Sequence, residues 1–167
     1  MFAVDRRWRL VAVVTAGLLA VAALAWLLWP EPAPPPRERQ YRAFTACMLT
    51  DDRGLAGPEA AASWQGMQRA SSATSIKIQH LAVVGKQTPE NAEGFFNTLG
   101  VQRCRMVVAV GAAPVAALVA GHKRFPDVQY LVVGVSPDPA VPAVSGESAE
   151  DLAAGVERQV ASAAADR

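Results

Sequence analysis

The longest apolar stretch of the chain runs from Leu10 to Trp29, without a charged residue and almost wholly in Leu, Val, Ala and Trp. A soluble core helix would carry a polar face, and none appears before Pro30. At 1.5 Å of rise per residue, roughly 20 such residues match a hydrocarbon layer about 30 Å thick, so residues 10–29 are predicted to form one transmembrane helix. Arg6, Arg7 and Arg9 precede it, and the positive-inside rule then leaves residues 1–9 as a cytoplasmic tail and everything after Trp29 extracytoplasmic. Cleavage is the alternative, since small-x-small sites occur at Ala20-Val21-Ala22 and Ala23-Leu24-Ala25. Signal-peptide cores are usually shorter, however, at about 7–15 residues. The run Pro30-Glu31-Pro32-Ala33-Pro34-Pro35-Pro36 favours an extended polyproline conformation, and residues 30–42 read as a stalk.

From residue 43 to 167 the pattern changes to short apolar runs alternating with helical spacing. Residues 44–50 lack polar alternation, as a buried central strand would. Residues 76–84 begin with alternation and end apolar, which fits a strand near a sheet edge. Met106–Gly111 is the strongest buried-strand run, Gln129–Gly134 a fourth strand, and residues 141–144 a fifth. Between them, Gly57-Pro58-Glu59 and Thr88-Pro89-Glu90 are helix starts, with proline in the first turn and an acid at the positive end of the dipole. Ser71-Ser72 is expected to close the first of these helices, Pro114 to start a third, and Ser148 with Asp151 to cap a last one. Strand and helix recur at intervals of about 25–30 residues, which predicts right-handed βαβ units in an α/β, doubly wound parallel sheet.

Composition narrows the functions open to such a sheet. The formal net charge is only +1, and without the N-terminal arginines the remainder leans slightly acidic, so nucleic acid is not an expected partner. Ligands of open parallel sheets bind at the carboxyl ends of the strands, where strand order reverses. Asp51 and Asp52 follow the first strand, Gly111 the third and Gly134 the fourth, and these four are the candidate ligand-binding residues. An acidic pair after a first strand could hold Mg²⁺ in a phospho-acceptor receiver domain. Such a domain also needs an acceptor aspartate where this chain has Val110-Gly111, and a lysine after the last strand, so that reading fails. Neither a Walker motif nor a G-x-G-x-x-G follows any strand. His80 is expected on a strand surface and His122 in the last turn of a helix, an ordinary place for dipole complementation. The two histidines and scattered acids form no metal-ligand pattern, and no serine sits in a nucleophile elbow. No metal or cofactor is expected, and the domain reads as non-catalytic.

Cys47 and Cys104 are the only cysteines. If the first and third strands are neighbours, as in the order 2-1-3-4, a disulfide between them is sterically feasible, and an extracytoplasmic location favours it. Two separately buried thiols are the alternative.

Several residues carry a resemblance beyond composition. Met48-Leu49-Thr50-Asp51, Ser63-Trp64-Gln65-Gly66-Met67, Val110-Gly111 and Phe125-Pro126-Asp127-Val128-Gln129-Tyr130 running into Val132-Val133-Gly134 together resemble the N-terminal lobe of the basic membrane protein family. These are solute-binding lipoproteins of ABC importers with a type I periplasmic-binding fold, several of which bind nucleosides. The resemblance implies a single binding lobe and a nucleoside-like small-molecule solute, with Asp51, Trp64 and Gly111 as the positions that carry over. The chain departs from the family where a Ser-Phe-Asn loop would stand, since it reads Gly57-Pro58-Glu59-Ala60, and in having no second lobe after the last helix. Two functions are therefore expected in competition: a solute-binding lobe, completed by a homodimer, and a degenerate lobe serving as an extracytoplasmic protein-interaction module.

Overall fold

The structure is a computed structural model and describes residues 6–27 and 41–166. Two compact units divide the chain after Glu38.

The first unit contains helix α1, Arg6–Leu27. Its described side chains are exposed, including Val13, Leu19 and Trp26. The expectation of a transmembrane helix is not supported: no helix among the described residues is long and apolar enough to cross a membrane. Three arginines, Arg6, Arg7 and Arg9, fall within α1, and such charges are costly in hydrocarbon. Leu28 and Trp29, and the stalk up to residue 40, lie outside the described residues.

The second unit is a five-stranded parallel sheet of order β2-β1-β3-β4-β5. Its strands are β1 Thr45–Thr50, β2 Lys77–Ala82, β3 Met106–Ala109, β4 Gln129–Val133 and β5 Ala143–Val144. The helices are α2 Pro58–Thr74, α3 Pro89–Val101, α4 Ala112–Gly121 and α5 Ala149–Ala165. The alternating α/β reading and the central β1–β3 pair are both observed, with Cys47 beside Val107 in the register.

Period-two alternation sends successive side chains to opposite faces. Met48, Val108 and Leu131 join Met67, Val156 and Val160 under α2 and α5. Leu49, Val107 and Val132 join Phe96 and Leu118 under α3 and α4. Two cores result, which is why β3 is apolar throughout and β1 from Ala46 to Leu49. At the edge, β2 keeps Lys77 and Gln79 exposed, as its alternation predicted. Two boundaries differ from expectation. Helix α2 runs past Ser71-Ser72 to Thr74, because the buried Ser71 hydroxyl donates to Ile76 O (2.7 Å) from within the last turn instead of ending it. Helix α4 starts at Ala112 rather than Pro114, which lies within the first turn, where a missing N–H costs nothing.

The Cys47–Cys104 disulfide is formed, with Cα atoms 5.9 Å apart. It anchors the segment before β3 to the middle of β1.

Candidate functional site

The strand order reverses between β1 and β3, and the chain leaves both strands at the same end of the sheet. Asp51 stands at the end of β1 and Gly111 two residues beyond β3, at the start of α4. Gly111 adopts φ +99° and Gly134, after β4, φ +101°, conformations that a residue with a Cβ rarely takes. A Cβ placed on Gly111 would touch the Asp51 carboxylate at 3.5 Å. The structure thus brings Asp51 and Gly111 together across the switch point.

The Asp51 carboxylate is held by its own loop. Arg53 donates its backbone N–H to Oδ1 (3.2 Å), and Nε and Nη2 to Oδ2 (3.1 and 2.8 Å). The hydrogen bond and the charge of Asp51 raise the Arg53 pKa further above its usual range. Asp52 is exposed and does not line the cavity beside Asp51. Asp51 and Gly111 line a cavity of about 210 Å³ together with Arg53, Pro58 and Glu59. Gly134 lines a second, of about 230 Å³, with Glu147 and Ser148. Pro58 and Glu59 border both cavities, so the start of α2 forms the rib between them. Sequence reasoning took Gly57-Pro58-Glu59 as a helix start and as a departure from the family's ligand loop, but did not count Pro58 and Glu59 among the site residues.

Beside the site, the fully buried Thr50 hydroxyl lies 2.9 Å from His80 Nε2. Trp64 meets the His80 ring edge-on, centroids 6.1 Å apart. Burial lowers the His80 pKa below its ordinary 6.5. His122 caps the end of α4, with Nδ1–H donating to Val119 O (2.9 Å). The two histidines do not meet. Among the described residues, no group of three or more His, Cys, Asp or Glu could hold a metal ion.

No family model matches the chain, and no curated protein matches its sequence. Solved structures do match. A protein described as a lipoprotein from Peptoclostridium difficile 630, solved as a fragment, aligns with a TM-score of 0.60 at 16% identity, over 72% of this chain and 98% of that one. An ABC transporter solute-binding protein from Aeropyrum pernix K1 aligns with a TM-score of 0.48 at 15% identity, over 60% of this chain but only 28% of that one. At such identities the likeness concerns the fold alone.

Proposed function

We propose that this chain is a non-catalytic, solute-binding-protein-like lobe, held at a membrane by its N-terminal helix on the extracytoplasmic side, with the strand-end crevice as its ligand site. The observation that carries it is the meeting of Asp51 and Gly111 at the switch point, where ligands of open parallel sheets bind. The two cavities divided by the start of α2 suit a small polar solute with hydrogen-bonding hydroxyls, a nucleoside-like molecule among them. Of the residues that resemble the basic membrane protein family, Asp51, Gly111 and Gly134 lie at this end of the sheet. The disulfide supports an oxidising location, and the exposed apolar side chains described in α1 favour a nonpolar environment.

A second reading has its own observation. Arg53 occupies both oxygens of Asp51, so the carboxylate has less capacity left for a solute, and the crevice edge would instead dock a protein. A thermal-shift screen of the purified full chain against nucleosides decides between them, because a ligand that binds only the folded state raises the melting temperature. A shift lost in Asp51→Ala supports the solute site. Absence of any shift at millimolar concentration leaves the interaction module.

A further inference from the structure

The α/β unit has a cavity larger than the strand-end crevice. It has a volume of about 760 Å³ and opens at the other end of the sheet, where the chain enters β1, β3 and β4. Four arginines line it, Arg42, Arg103, Arg105 and Arg124, against one carboxylate, Asp127. Arg42 and Asp127 have interactions of their own, and Arg124 donates to Asn97 Oδ1 (3.0 Å) and to Glu93. Arg103 and Arg105 have no side-chain hydrogen bond or ion pair among the described residues. Arg103 is exposed and Arg105 partly buried, and both line the cavity with guanidinium donors left for a ligand.

Arg103 adds a second observation. It sits at φ +61° two residues beyond α3, the left-handed position after a helix that glycine fills without strain. Complementing the negative end of α3 is the ordinary role of a cation there. The left-handed turn itself closes α3, with the Cys104 N–H donating to Leu99 O (3.3 Å), but the helix end asks for no second arginine two residues on. Both arginines flank Cys104, whose disulfide ties the segment to β1. The cationic pair therefore stands on a covalently fixed stretch of chain beside the half-buried ring of Phe125.

We propose that this cleft binds a phosphate ester, its phosphate held by Arg103 and Arg105 and its organic part lying against Phe125. Paired guanidiniums match the several oxygens of a phosphate better than the two of a carboxylate, and a cavity of this size accommodates a small organic molecule. A lipid headgroup and a soluble phosphate ester share this chemistry.

The test is calorimetric titration of the full chain in uncharged detergent micelles with phenyl phosphate. The proposal expects a Kd below about 1 mM, weakened at least about fivefold in both Arg105→Gln and Arg103→Gly. Arg103→Gly removes a strained side chain, so its melting temperature is expected to match or exceed the parent's, which separates loss of the site from loss of the fold. Micelles doped with phosphatidic acid distinguish the sources: competition with phenyl phosphate marks a headgroup site, and unchanged binding marks a soluble ester. A parent Kd above about 1 mM, or less than about fivefold weakening in either variant, overturns the proposal.

Discussion

His80 stands on β2 between the edge of Trp64 and the buried Thr50 hydroxyl, where a charged ring is poorly solvated. Its folded pKa is depressed by burial, whereas in the unfolded chain it returns to about 6.5. The unfolded state therefore binds the proton more readily. The stability this ring contributes is complete above pH 6.5 and is lost as pH falls through the lower folded value. Melting curves between pH 8 and pH 5 are expected to show this acid-side decline, and His80→Gln to flatten it; equal slopes in both proteins would refute the assignment. At this scale the sequence was only partly legible. Asp51 and Gly111 could be placed because they end apolar strand runs. The capture of Asp51 by Arg53 could not, since an acid two residues before an arginine in a loop has no periodic signature. Nor could the cleft of Arg42, Arg103, Arg105 and Arg124, whose members come from separate segments and meet only once the sheet is assembled.

Among the elements, the pairing of α2 with α5 depends on the absence of one side chain. A Cβ on Gly66 would lie 2.3 Å from the Ala153 carbonyl oxygen, a backbone atom that cannot rotate aside. Gly66→Ala should force the helices apart and destabilise the fold by about 1–3 kcal/mol, as overpacking does. Gly94→Ala, in α3 with nothing within 4 Å, should instead stabilise by about 0.5–1 kcal/mol through helix propensity. Urea denaturation of the two variants checks the opposite signs. Elements were the most legible level of this chain. Uninterrupted apolar runs identified β1 and β3 as central, and the alternation at residues 76–84 put β2 at the edge. Helix ends were less legible, because tertiary burial of Ser71 overrode its local tendency to stop α2.

In the whole molecule, two features bear on how the chain is held. The exposed apolar surface of α1 predicts that the protein stays with membranes through an alkaline carbonate wash, and that a chain beginning at residue 39 does not; recovery of the full chain in the supernatant would exclude attachment by this helix. The disulfide closes a separation of 57 residues, so Cys47→Ser with Cys104→Ser should lower stability by as much as about 4 kcal/mol in the chain-entropy picture, measurable as a lower denaturation midpoint. The pairing follows from topology: β1 and β3 are adjacent although α2, β2 and α3 intervene in sequence. The cysteine count has a further consequence, for biogenesis. With two cysteines in the chain, intramolecular oxidation has a single product and no mispaired isomers to unscramble. A thiol oxidase alone can therefore complete maturation, and the protein's yield in a cell should be indifferent to the loss of a disulfide isomerase.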